Sequence, residues 1–201
     1  MAKIVVLLSG GMDSATVLAL ALANGHECIA VTFDYGQANR SELHAAENIA
    51  RESGVQHVLV RVQPDFWRGA SPLTGGDTST AHIHGYVPGR NTLFLSMGLA
   101  IAESSGASEV HFGANAEDAD EYPDCRLGFV RAMSLVAALG LRHPVEIRAP
   151  LLTKTKREVV ELGKSLGAML EWTTSCALDP NGHCGKCRGC LSREEAWRDA
   201  L

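Results

Sequence analysis

Two groups of residues in this chain have the types and spacing that do chemistry. The first is Leu8-Ser9-Gly10-Gly11-Met12-Asp13-Ser14, set between an apolar run and a helical one. Consecutive glycines let the backbone turn tightly and bare its N–H groups. Those amides, the Ser9 and Ser14 hydroxyls and the positive end of the next helix make a site for phosphate oxygens. Gly-Gly alone would read as a turn, with Asp13 or Ser14 capping the helix. The full string, after an apolar strand and before a helix, reads as nucleotide-binding. No Lys-Ser/Thr pair follows, so this is not a Walker A loop, nor is it the dinucleotide fingerprint G-x-G-x-x-G. A loop without that lysine suits a grip on β- and γ-phosphates as leaving pyrophosphate, with Asp13 orienting Mg²⁺ or bracing the loop.

The second group is Cys176, Cys184, Cys187 and Cys190, spaced C-x7-C-x2-C-x2-C. Four thiolates so placed close a tetrahedral shell around Zn²⁺, and Gly182, Gly185 and Gly189 permit the turns. A closed shell implies a structural ion. Iron–sulfur ligation is the rival, because C-x2-C-x2-C opens ferredoxin-type runs, but the cysteine-proline that completes them is absent. His183 is too close to Cys184 to share the ion comfortably. Cys28 reads as an ordinary buried thiol, and Cys125 stays unassigned.

The elements that must position these groups alternate along the chain. Apolar strands are expected at Lys3 to Leu8, Glu27 to Phe33, His57 to Val62, Glu109 to Phe112 and Val145 to Arg148. Helices are expected at Ser14 to Asn24, Ser41 to Ser53, Thr92 to Ser105 behind an Asn91 cap, Arg126 to Leu139 and Lys154 to Leu166. Pro64 to Gly89 breaks the rhythm as a long glycine-rich loop, of a length that is usually functional. The pattern predicts an α/β fold with a doubly wound, five-stranded parallel sheet. Residues 1–170 would form this domain, and 171–201 a small zinc-binding C-terminal segment packed on it. The chain has 201 residues, which suits one well-buried domain. No apolar stretch reaches the ~20 residues of a membrane span. The opening run is too short for a signal peptide, which points to the cytoplasm. A net charge of −5 argues against direct nucleic-acid binding.

Further candidates fall at strand-to-helix junctions, where such sheets bind ligands. Tyr35 and Gln37 follow the second strand, Arg90 and Asn91 open a helix, and Asn115 follows the fourth strand. Tyr122 could stack on a flat ring, Asp124 could accept from a guanine-like amino edge, and Arg90 or Arg126 could hold a carboxylate or phosphate. Lys154 and Lys156 could reach phosphate. Singly, each reads equally well as a salt bridge, a cap or a packing aromatic.

The L-S-G-G-M-D-S string resembles the signature of PP-loop ATP pyrophosphatases, which implies a Rossmann-like fold of the adenine nucleotide alpha hydrolase type. With F-D-Y-G-Q, Y-V-P-G-R-N, Y-P-D-C-R, K-T-K and the cysteine tail in order, the chain from Lys3 to about Trp197 resembles the 7-cyano-7-deazaguanine synthase (QueC) family. The resemblance implies ATP-driven conversion of 7-carboxy-7-deazaguanine and ammonia to the nitrile, for queuosine-type nucleosides. It implies Asp13, Ser14, Arg90 and Lys154 in catalysis, a bound zinc and a homodimer. Three places depart from the family pattern: Ala177 where an aromatic is usual, Arg188 where an acid is common, and the acidic stretch Glu117 to Glu121 where Ser-Gly is usual. Two other readings therefore stand beside it. One is a relative that passes an adenylated deazapurine acid to another acceptor, such as a protein amine. The other is a nucleotide- or tRNA-binding module with lapsed catalysis.

Overall fold

The computed structural model describes every residue except 64, 77–84, 180–182 and 201. Gly182 and the tip of the glycine-rich loop thus lie outside the described residues. A parallel sheet of five strands has the order β3-β2-β1-β4-β5. The strands are β1 (Lys3–Leu7), β2 (Glu27–Asp34), β3 (Gln56–Arg61), β4 (Glu109–His111) and β5 (Glu146–Arg148). The helices are α1 (Met12–Ala23), α2 (Ser41–Glu52), α3 (Arg90–Ser105), α4 (Ala116–Glu121), α5 (Leu127–Gly140), α6 (Lys156–Ser165) and α7 (Arg188–Asp199).

The apolar run of β1 explains its central place. Ile4, Val5 and Val6 are fully buried, and because strand side chains alternate they feed different layers. Val5 joins the core beneath α3 and α5, while Ile4 and Val6 join the core under α1 and α6. β1 pairs with β2 on one side and β4 on the other. The order reverses there, so the loop after β1 sits at the switch point of the sheet. Two glycines allow close packing around it. A Cβ on Gly163 would lie 2.6 Å from Thr16 Oγ1 between α6 and α1, and one on Gly113 would lie 2.9 Å from the Ser14 nitrogen.

Three helix starts differ from the sequence expectation by two residues. α1 begins at Met12, with Gly11 in the cap position. α3 begins at Arg90, and its cap is Gly89 in a left-handed conformation (φ 67°), not Asn91. α6 begins at Lys156, because Thr155 and Glu158 close a capping box that leaves Lys154 outside. Two helices were unforeseen. α4 is acidic and lacks an apolar stripe, and α7 starts among the metal-type cysteines.

The described part of the long loop is anchored. Trp67, Leu73 and Val87 join the core, and Trp67 Nε1 donates to Pro88 O at 2.8 Å. The C-terminal segment is tied on from several sides. Ala196 of α7 is buried in the α1/α6 core, Thr174 N donates to Gly10 O at 3.0 Å, and Asn39 Nδ2 donates to Cys176 O at 2.6 Å. No helix among the described residues is long and apolar enough to cross a membrane.

Candidate active site and metal centre

A cavity of about 370 Å³ opens at the carboxyl ends of β1, β2 and β4. Leu8, Ser9, Gly11, Met12, Asp13 and Ser14 form its floor. Within this loop the Ser14 hydroxyl donates to Gly11 O (2.9 Å) and accepts from Ser9 N (3.1 Å), and the two serine hydroxyls lie 3.0 Å apart. Gly10 turns the chain at φ 86°, and a Cβ there would lie 2.3 Å from Glu42 O. The cavity end of α1 has no side-chain cap, which leaves amide donors and the helix dipole for an anion.

Lys156, from the first turn of α6, crosses to this loop and holds Asp13 Oδ2 at 2.5 Å. Burial pulls the Lys156 pKa down, but Asp13 and Asp118 outweigh it and raise it, so the ammonium persists. Asp118, on α4, is pushed up to about 6 by burial and by Asp13. Asp13 Oδ1 is buried with no hydrogen-bond partner among the described residues. Two carboxylates and one ammonium therefore share a partly buried corner beside the phosphate-type loop. This corner has the donor chemistry for a hard cation arriving with a triphosphate.

The opposite wall carries several of the residues foreseen for substrate. Arg90 donates to Tyr35 Oη at 3.0 Å, and burial keeps the Tyr35 phenol protonated. Burial opposes the Arg90 charge, but Tyr35, Glu42 and Asp124 sustain it. Asn91 lines the cavity and donates to Cys125 Sγ at 3.6 Å. Burial pushes the Cys125 thiol up to about 12, so it is not a ready thiolate. Tyr122 lines the cavity, its ring nearly parallel to that of Tyr86 (12°, centroids 6.3 Å apart). Gln37 borders the cavity, but its amide is occupied by Tyr35 N and Phe33 O.

Besides Gly10, four foreseen residues lie off the cavity lining. Asn115 caps α4, accepting from Glu117 N and Asp118 N. Asp124 is buried, with its carboxylate taken by the backbone N–H groups of Asn91 and of Asp124 itself. Arg126 donates to the carbonyls of Ala119 and Asp120 at the end of α4. Lys154 precedes the Thr155 cap, and its neighbour Lys156 enters the site instead. Sequence reading passed over Glu42, Asp118 and Phe94, all of which line the cavity. For Glu42 a signal existed: an acid at the start of the helix after the D-Y-G-Q junction.

The C-terminal segment completes the cavity, through Thr174, Ser175, Ala177, Arg188, Gly189 and Ser192. Behind this wall the Sγ atoms of Cys176, Cys184, Cys187 and Cys190 all lie within 4.8 Å of one another. A tetrahedral ZnS₄ shell with bonds of about 2.3 Å needs sulfurs about 3.8 Å apart. The Cys176–Cys187 and Cys184–Cys190 separations are 3.9 and 4.0 Å. Amides of Asp179 and Cys187 donate to Cys176 and Cys184 Sγ at 3.2 and 3.3 Å, as is usual around bound thiolates. The cluster fits a metal ion with no open position.

Comparison with known proteins places this arrangement. Among solved structures, NMN synthetase from Francisella tularensis superposes with a TM-score of 0.58 at 21% identity, covering 96% of this chain and 71% of that one. The U34-tRNA thiolase NcsA from Methanococcus maripaludis, solved with its [4Fe-4S] cluster, gives a TM-score of 0.54 at 20% identity. That match covers 97% of this chain but only 64% of the thiolase. At these identities the likeness is one of fold. Curated relatives are much nearer. The 7-cyano-7-deazaguanine synthase of Ectopseudomonas mendocina is 44% identical, over 98% of this chain and 94% of its own length. The protein of the same name from Hydrogenovibrio crunogenus is 42% identical, over 98% and 92%. The family described as Queuosine biosynthesis protein QueC matches residues 3–201, and the chain belongs to that family.

Proposed function

We propose that the chain is an ATP-dependent ligase that converts 7-carboxy-7-deazaguanine and ammonia to 7-cyano-7-deazaguanine. The observation that carries this reading is the single cavity in which the S-G-G-M-D-S loop, the Asp13–Lys156 pair and Arg90 converge. The curated relatives, matched almost end to end, bear this one activity in their names, which favours it over the acceptor-transfer and lapsed-enzyme readings.

The β- and γ-phosphates of ATP bind the loop amides and the Ser9 and Ser14 hydroxyls. Arg90 orients the substrate carboxylate. A carboxylate oxygen attacks the α-phosphorus, pyrophosphate leaves, and Lys156 offsets its charge. Ammonia displaces AMP to give the amide. A second adenylation, on the amide oxygen, lets AMP depart again and leaves the nitrile. No protein nucleophile is required, because positioning and charge stabilisation supply the rate. Water would hydrolyse both adenylates, and the tail and the anchored loop wall it off. Asp13 Oδ1 and Asp118 would hold the Mg²⁺ of Mg-ATP, which neutralises phosphate charge when bound. Cys176, Cys184, Cys187 and Cys190 would hold a structural Zn²⁺. Segment 171–201 then acts as a small zinc-binding segment packed on the 1–170 body, in a cytoplasmic enzyme. Leu135, Val136 and Leu139 give α5 an exposed apolar face, suited to a homodimer.

Mass spectrometry of products from Mg-ATP, ammonium and 7-carboxy-7-deazaguanine tests the reading. The expected result is nitrile with AMP and pyrophosphate. AMP release with only amide, or with no small-molecule product, would overturn it.

A further inference from the structure

The cavity holds three carboxylates, Asp13, Glu42 and Asp118. Asp13 is bound to Lys156, and Asp118 Oδ2 accepts from Asn115 N at 3.2 Å. Glu42 differs. Among the described residues no hydrogen bond or ion pair engages its carboxylate, although it borders the cavity from the first turn of α2. Its position is fixed from below, because its own carbonyl packs against Gly10, closer than any Cβ there would allow. The residue is therefore pinned beside the S-G-G-M-D-S loop and within electrostatic reach of Arg90, the group assigned above to the substrate carboxylate.

We propose that Glu42 is the acid–base residue of nitrogen transfer: its carboxylate draws ammonium into the cavity and takes the proton that frees ammonia for attack. This rests on the ligase reading above. Ammonia at neutral pH exists mainly as ammonium, which has no lone pair and cannot attack. A site using it needs an acceptor that is negative before the proton arrives, unoccupied by other donors, and of near-neutral proton affinity. Burial lifts Glu42 to about 7, with Arg90 pulling it the other way. Arg90 on α3 is turned to Tyr35 Oη, and Tyr35 is held protonated by burial and does not compete as a base. Phe33, Phe94 and Leu73 line the same cavity and favour the neutral amine over its hydrated cation.

The step balances. Ammonium gives one proton to the Glu42 carboxylate and becomes ammonia. Its lone pair forms the C–N bond to the acyl carbon, and the C–O bond to AMP breaks. A second proton passes from nitrogen to the departing phosphate oxygen, leaving the amide and AMP. Glu42 then returns its proton to solvent. The later loss of AMP to give the nitrile needs no further ammonia.

Hydroxylamine separates this role from a structural one, because at neutral pH it is mostly unprotonated and attacks without a base. Turnover of the substrate acid is measured with ammonium and with hydroxylamine for the wild type, Glu42→Gln and Glu42→Asp. The expected result for Glu42→Gln is an ammonium-to-hydroxylamine turnover ratio lower by about 100-fold. Glu42→Asp, which keeps the carboxylate, should regain part of that ratio. Equal losses with the two nucleophiles, or an unchanged ratio, would overturn the proposal, as would an Asp variant no better than Gln. A wild type that releases neither AMP nor pyrophosphate from the acid would instead overturn the ligase reading beneath it.

Discussion

Replacing Lys156 by Met leaves Asp13 and Asp118 facing each other without their cation. Removing one partner of a buried ion pair costs about 3–5 kcal/mol, because the other charge stays desolvated. The side chains of Lys156 and Asp13 keep 17% and 19% of their surface, so some solvent screening remains and the lower end, about 3 kcal/mol, applies. For a chain of this size that lowers Tm by about 6–12 °C. The loss must depend on pH. Asp118 already sits at about 6 in the folded protein, so the folded state binds protons more readily than the unfolded one, and stability falls as pH rises toward that value. Without Lys156 the Asp118 carboxyl rises further, so the deficit is full above neutrality and shrinks as acid protonates it. Thermal and urea unfolding at mildly alkaline and mildly acid pH would read it. Adding Asp13→Asn should recover part of the loss, a coupling between touching groups. A Lys156→Met protein that melts with the wild type above neutrality, or whose deficit is the same at both pH values, would refute the reasoning.

Gly10→Ala asks an L-residue to hold φ 86° with its Cβ 2.3 Å from Glu42 O. The conformation alone costs about 1–2 kcal/mol, and the contact must push α2 off the loop. Pyrophosphate release should be lost while the far-UV circular dichroism is kept; normal turnover would show that the loop tolerates the shift. Cys187→Ser should abolish bound metal, measured by elemental analysis, and weaken ATP binding, because the tail is a wall of the cavity. Retained metal at one ion per chain, or unchanged ATP affinity in the metal-free variant, would count against it.

The sheet was legible because five apolar runs alternate with helical periodicity. The four cysteines were legible as a cluster because they are near neighbours in sequence. What sequence could not supply was the direction of side chains brought together from afar. Lys154 and Lys156 look equivalent in K-T-K, and only the Thr155–Glu158 capping box decides which one turns toward Asp13. Asp124 looks like an open acceptor, yet the Asn91 backbone N–H occupies it. Gln37 is spent on its own turn. Glu42 was passed over because an acid in the first turn of a helix has an ordinary explanation in the helix dipole.

Two of the departures from the family pattern are one physical event. Arg188 is the first residue of α7, behind the Cys187 cap, which makes no side-chain capping bond. A cation there opposes the positive end of the helix, a cost of about 0.3–1 kcal/mol. Glu121, the last residue of the acidic stretch in α4, forms an ion pair with the Arg188 guanidinium, and its other oxygen is buried without a partner among the described residues. A negative charge beside the start of α7 is thus supplied from α4. The exchange has a mechanical consequence. An acid on α7 itself would satisfy the helix end alone, whereas a pair between α7 and α4 also ties the four-cysteine tail to the element that holds Asp118 and leads into Tyr122. The tail is then joined to the body at Gly10, at Asn39 and at Glu121. The departures leave the phosphate loop untouched and bear on how firmly the cavity is closed.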